Sequence, residues 1–266
     1  MPYFTSQDGV RLHYDIEGAG PPLILHLGAG ADASLWREAG YVEPLSKSYA
    51  CILFDHRGHG KSDHPSSVKA NHIDRYSDDV LALIEHLGHS SVTFFGWSNG
   101  FTVGLKAAQE APDAFDSLVL FGAIGRRATS EEIEAAVAQR LPVMREQGWW
   151  SILGPMRESE KFPVPGWFFD RVIATDVEPW IAYTACRPAW NWSPWDAMPL
   201  INKPTLLLAG ELEDPEDILA EVAAAMPNAT RVRVPEREHI NAFLYSDFVG
   251  PRVLDFLATR TPQATG

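Results

Sequence analysis

The chain has 266 residues, 45% hydrophobic and 21% charged, which is enough for one large α/β domain with an insertion and too apolar for a disordered chain. A balance of 22 basic to 35 acidic residues leaves a formal charge of −13, a field that repels phosphate backbones and anionic lipid and argues against nucleic acid and membrane partners. The N-terminal run MPYFTSQDGVRLHYDIEG has no basic stretch followed by an apolar one, and no apolar run approaches the roughly 18 residues of a membrane span, so no signal peptide is expected and the expected location is cytoplasmic.

Residues 2–17 alternate around Asp8-Gly9, a turn signal that predicts a hairpin. PPLILHLG (21–28), ACILFD (50–55), SVTFFG (91–96), DSLVLFG (116–122), PTLLLAG (204–210) and ATRVRVP (229–235) are short β-rich runs ending in turn residues. Strands buried on both faces have this pattern. Helical patterns fill 72–87, 99–111, 215–226 and roughly 243–259. Strand alternating with helix predicts an α/β fold with a mostly parallel sheet covered on both sides. Cys51 opens the apolar run CILF and is far in sequence from Cys186, so a reduced, buried thiol is expected there rather than a disulfide.

The rhythm breaks once. About 80 residues separate Gly122 from Pro204, too many for a simple crossover, and loops of that length without structure are uncommon. The interval holds helix-like EEIEAAVAQRLPVMREQG and then a region dense in proline and aromatic residues. Seven of the nine tryptophans lie here: Trp149, Trp150, Trp167, Trp180, Trp190, Trp192 and Trp195. The expected division is a core of 1–125 and 199–266 with a mainly helical cap over 126–198.

Gly96-Trp97-Ser98-Asn99-Gly100 follows the run SVTFFG directly and opens a helical pattern. A serine on so sharp a turn is lifted off the end of the sheet, and glycines on either side avoid clashes with strand and helix. The alternative is a plain helix cap. A serine hydroxyl needs a base, and His239 lies in RVRVPEREHINAF, in a loop at the same sheet edge, after the last strand and before the last helix. The base needs a carboxylate to hold its tautomer, and Glu211-Leu212-Glu213-Asp214-Pro215 follows PTLLLAG at that edge. The chain order is then serine, acid, histidine.

On these residues the chain resembles the α/β-hydrolase fold family over nearly its whole length, with 126–198 in the place of the family's cap. DHRGHGKS (55–62) is similar to a family motif that shapes a loop near the site, in which Arg57 and the glycines are structural. The resemblance implies a capped Ser-His-Asp hydrolase with a nucleophile elbow at Ser98. The chain departs from the family pattern in two places. The family's His-Gly after the third strand reads Leu27-Gly28 here, with His26 one position early and assigned to packing. That register implies an oxyanion hole from the amides of Ala29 and Asn99, with Gly28 and Gly30 allowing close approach of the backbone. The family's Gly-x-x-Asp places Glu213 third after Gly210, yet Asp214 is the aspartate and carries the family's following proline. Asp214 is the preferred acid and Glu213 the alternative.

Serine at the elbow implies acyl transfer to water through an acyl-enzyme, not epoxide opening or halide displacement. The expected reaction is hydrolysis of a carboxylic ester or lactone of a small apolar or aromatic substrate. The alternative is carbon–carbon bond hydrolysis of a ring-cleavage diketone. Pocket candidates are Gly28, Gly30, Trp97, Trp149, Trp167 and Trp192. Arg126, Arg127 and Arg187 are cap cations that an anionic substrate could meet, each with solvated surface as the plainer role. His56, His59, Asp63 and His64 lack the spacing of a binuclear metal site, so no metal and no cofactor is expected. The expected partner is a small-molecule substrate, and the expected assembly a monomer or homodimer.

Overall fold

A computed structural model describes residues 2–122, 124–159, 163–214 and 216–259. Tyr3–Thr5 (β1) and Arg11–Glu17 (β2) pair antiparallel around a turn in which Gly9 takes φ 86°, a conformation that favours glycine. Six further strands follow: Pro22–His26 (β3), Ala50–Asp55 (β4), Val92–Trp97 (β5), Phe115–Phe121 (β6), Thr205–Gly210 (β7) and Ala229–Val234 (β8). They form one eight-stranded sheet in the order β1-β2-β4-β3-β5-β6-β7-β8. The β1·β2 and β2·β4 pairs are antiparallel and the others parallel. The strand order reverses at β3, which lies between β4 and β5, and open α/β sheets bind ligands outside such a switch point.

Side chains alternate between the two sheet faces and feed two cores. Leu23, Leu25, Leu53, Phe95 and Val119 enter one, and Ile24, Ile52, Phe54, Phe94 and Leu118 the other. β4, β5 and β7 are accordingly buried over almost their full length, as their apolar runs predict. β8 is different: Thr230 and Arg231 are exposed because the strand is the sheet edge, where arginines discourage pairing with another chain.

The helices are Leu35–Glu38 (α1), Val42–Leu45 (α2), Ile73–His86 (α3), Asn99–Glu110 (α4), Ser130–Gln147 (α5), Trp150–Ser159 (α6), Gly166–Ile173 (α7), Glu178–Cys186 (α8), Pro194–Ala197 (α9), Ile218–Ala225 (α10), His239–Leu244 (α11) and Ser246–Ala258 (α12). The single helix expected near 243–259 is in fact two, broken at Tyr245, where ψ is 54°. α5 to α9 lie between β6 and β7, with no strand among the described residues there. α5 starts at a capping box, with the Thr129 hydroxyl accepting the Glu132 N–H and the Glu132 carboxylate accepting the Thr129 N–H. The insertion packs into the cores of the sheet. Trp149, Leu153, Phe168 and Val172 join Leu27 and Ala31 on one side, and Tyr183 joins Tyr76 on the other. Both cysteines are buried and free, and burial pushes the Cys51 thiol up to about 12. No helix among the described residues is long and apolar enough to cross a membrane.

Candidate active site

Ser98 joins β5 to α4 with φ 58° and ψ −116°, a strained backbone that persists only where its surroundings enforce it. Two glycines make the turn possible. A Cβ on Gly96 would lie 2.3 Å from the Gly100 carbonyl oxygen, and one on Gly100 would lie 2.5 Å from that of His26. The Ser98 N–H donates to the Phe121 carbonyl at 2.8 Å, which ties the turn to β6. Its hydroxyl makes no capping bond to α4, so the plain helix-cap reading does not describe this serine.

His239 is the first residue of α11 and sits next to Ser98. A Cβ on Gly122, at the end of β6, would lie 3.1 Å from His239 Cε1 and 3.3 Å from the Ser98 amide nitrogen. The imidazole stacks on Trp97 with centroids 5.0 Å apart, and Trp97 stacks in turn on Phe243 at 4.2 Å. Its Nδ1 donates to Glu213 Oε1. The other oxygen of that carboxylate accepts the Gly210 N–H at 3.1 Å, so Glu213 is held by the end of β7. This arrangement fixes the tautomer and leaves Nε2 as the proton acceptor.

The preference for Asp214 over Glu213 is therefore corrected. Asp214 is 2% exposed and its two oxygens accept the N–H groups of Ile218 and Leu219, at 2.8 and 2.9 Å. It holds the first turn of α10, whose unpaired amides claim the nearest short carboxylate. Pro215, part of the reason for choosing Asp214, lies outside the described residues.

The loop Leu27-Gly28-Ala29-Gly30 passes over Ser98. A Cβ on Gly28 would lie 2.5 Å from Ser98 Cβ and 2.9 Å from its Oγ, so only glycine lets the loop come this close. Three buried histidines support it. The Gly30 N–H donates to His59 Nε2 at 2.8 Å. His56 lies between the carbonyls of Gly28 and Arg57, at 3.2 and 3.0 Å, and His26 stacks on it at 4.9 Å. Burial lowers the pKa of all three. Among the described residues the amides of Ala29 and Asn99 donate to no protein acceptor.

A cavity of about 680 Å³ opens on Ser98 and Asn99 beneath the insertion, with Trp180, Trp190, Trp192 and Trp195 in its wall. Arg126, Arg127, Arg140 and Arg187 line it too. Of the expected pocket residues, Trp192 is in the wall and five are not. Trp97 is buried against His239. Trp149 is buried, donates to the Thr175 carbonyl at 3.0 Å, and packs with Val172 against Gly30. Trp167 is 40% exposed on α7. Gly28 and Gly30 border the serine and the core rather than the cavity.

A known sequence family, described as alpha/beta hydrolase fold, matches residues 21–152. A hydrolase from Pseudomonas aeruginosa, 25% identical, superimposes with a TM-score of 0.81 over 96% of this chain and 97% of its own. The chain has the α/β-hydrolase fold. Among curated relatives, 3-oxoadipate enol-lactonase 2 of Acinetobacter baylyi is 32% identical over 54% of this chain and 51% of its own length. Mouse serine hydrolase BPHL is 26% identical over 94% of this chain and 84% of its own. Several curated relatives are matched over about half of their length or less, at 38%, 43% and 51%.

Within this fold, Arg57 of DHRGHGKS is a buried tie between Asp79 and Asp8, at 2.6 and 2.9 Å. Asp55 of the same run accepts the Ala33 N–H at 2.7 Å and so anchors the loop beyond Gly30. Sequence reasoning missed Trp180, Tyr183, Trp190, Trp195 and Arg140 as wall residues. The available signal was position: the four wall tryptophans are the last four of the insertion, all C-terminal to Trp149, Trp150 and Trp167.

Proposed function

We propose that this hydrolase is a serine esterase or lactonase that cleaves a small substrate through an acyl-enzyme. Ser98 Oγ attacks the carbonyl carbon while His239 Nε2 takes its proton. Glu213 holds the imidazole and stabilises the imidazolium. The tetrahedral oxyanion faces the amides of Ala29 and Asn99. Collapse breaks the acyl–oxygen bond, and His239 returns the proton to the leaving alkoxide, which in a lactone stays attached to the acyl chain. Water then attacks the acyl-enzyme with His239 as base and releases the acid and Ser98.

The observation that carries this reading is the geometry at Gly122. His239, with Glu213 on its far nitrogen, and the strained Ser98 are neighbours at one sheet edge. The enol-lactonase relative supports an ester-type bond as the target. Ser98→Ala is expected to lower kcat on 4-nitrophenyl butyrate by roughly 10⁴-fold or more with the far-UV CD spectrum and Tm retained. A phosphonate ester is expected to label the unmodified protein at Ser98, as read by peptide mass spectrometry. Retained turnover in Ser98→Ala refutes the mechanism.

A further inference from the structure

The cavity that meets Ser98 is lined by four arginines and one acid, Asp196, in a chain whose overall charge is −13. Two of the arginines are matched by carboxylates. Arg126 pairs with Glu132 at 2.6 Å and Arg127 pairs with Asp196. The other two differ. Among the described residues no carboxylate lies on Arg140 or Arg187, and Arg187 has only the Trp190 ring, 5.7 Å from its guanidinium carbon. Arg140 stays open to the cavity, yet surrounding protein together with Arg187 pulls its pKa down, the response of a cation that lacks a counter-ion.

Two donors are buried within the residues that form this wall. Asn99 is 7% exposed and its Nδ2 has no hydrogen-bond partner, although the side chain approaches Tyr183. The buried Trp180 Nε1 likewise has none. The wall therefore presents two guanidinium groups with no carboxylate on them, which suits an acceptor-rich, negatively charged occupant.

We propose that the substrate carries a carboxylate remote from its scissile acyl bond, and that Arg140 and Arg187 bind it in this cavity. The inference rests on the serine-hydrolase reading and names the substrate class for the same site. Its physical role is local. The molecule as a whole repels anions, whereas a cleft with low-dielectric walls concentrates the field of its own charges. Arginine also matches a planar carboxylate with two parallel N–H donors.

The test compares two esters of one length, 4-nitrophenyl hydrogen pimelate and methyl 4-nitrophenyl pimelate. The expected kcat/KM ratio of the anionic to the neutral ester is above 10 for the unmodified protein. It is expected to fall at least tenfold, mainly through KM, in Arg140→Gln/Arg187→Gln, and to recover partly with lysine at both positions. Lys47→Gln, an exposed cation paired with Glu43 and outside the cavity, controls for net charge and is expected to leave the ratio unchanged. A ratio near one in the unmodified protein, or one that the double substitution leaves alone, overturns the proposal. Equilibrium binding of free pimelate to the unmodified and lysine-substituted proteins reads the subsite without turnover. If no ester is cleaved through Ser98 but pimelate binds, only the hydrolase reading fails. If neutral ester is cleaved through Ser98 and pimelate does not bind, only the carboxylate subsite fails.

Discussion

Glu213 and Asp214 leave the end of β7 together, and the length of the turn decides where each arrives. Glu213 reaches His239 while its second oxygen takes the Gly210 amide, and Asp214 turns inward to the amides of α10. The two are separable by experiment. Glu213→Gln is expected to cost roughly 10⁴-fold in kcat, because the imidazole loses its tautomer and its counter-charge, with Tm little changed. Asp214→Asn is expected to act on stability, lowering it by about 1 kcal/mol through the first turn of α10 while kcat stays within a few-fold. Stopped assays and thermal melts on the two variants check this, and the opposite pattern would restore Asp214 as the acid. Gly28→Ala tests the same site from the other side. Its Cβ would meet Ser98 Cβ at 2.5 Å, and a displacement of the serine by about 1 Å costs roughly 10²-fold in rate.

At the level of elements, the site depends on loops that the strands position and the histidines brace. His26 at the end of β3 and His56 and His59 just beyond β4 are buried rings packed in series beneath Gly28 and Gly30. Their pKa values are depressed in the folded chain, whereas an unfolded histidine titrates near about 6.5. The unfolded state therefore binds more protons as pH falls below that value. Stability is fully present above about pH 6.5 and is lost on acidification, by about 1.4 kcal/mol per histidine for each pH unit until the folded pKa is reached. Urea midpoints at pH 8 and pH 5.5 read this loss. His59→Gln keeps an acceptor for the Gly30 amide and removes one titrating ring, so its midpoint is expected to be less sensitive to pH. An equal sensitivity would show that His59 is not one of the groups responsible. The sequence alone could not predict this bracing, since His56 and His59 in DHRGHG read as loop residues until the sheet brings β3 beside β4.

For the whole molecule, the strand–helix rhythm was readable because buried parallel strands leave uninterrupted apolar runs, and all six expected runs became strands. The elbow at Ser98 was readable for a related reason, since glycines at fixed offsets have few other causes. The walls of the cavity were not readable. Which tryptophan faces the serine depends on how α5 to α9 fold back over the sheet, and no local pattern encodes that; hence Trp149 and Trp167 were expected in the pocket and Trp180 was not. The same folding back puts Trp149, Phe168 and Val172 into the core of the sheet, so the insertion has shared rather than private packing. Urea unfolding followed by tryptophan emission, which reports chiefly on 126–198, is expected to coincide with unfolding followed by far-UV CD. Two separated transitions would show that the insertion unfolds on its own.

The insertion springs from just beyond Gly122, whose Cβ position is within 3.4 Å of both His239 and Ser98. Any polypeptide grafted at that point starts directly above the serine, whatever its length. Its return to β7 leaves the register of β5, β6 and β7 untouched. The proposed catalytic residues Ser98, Glu213 and His239 and most of the cavity wall thus lie on separate stretches of chain. Substitutions confined to the cavity wall of the insertion therefore change the room above Ser98 while leaving the backbone that holds it in place.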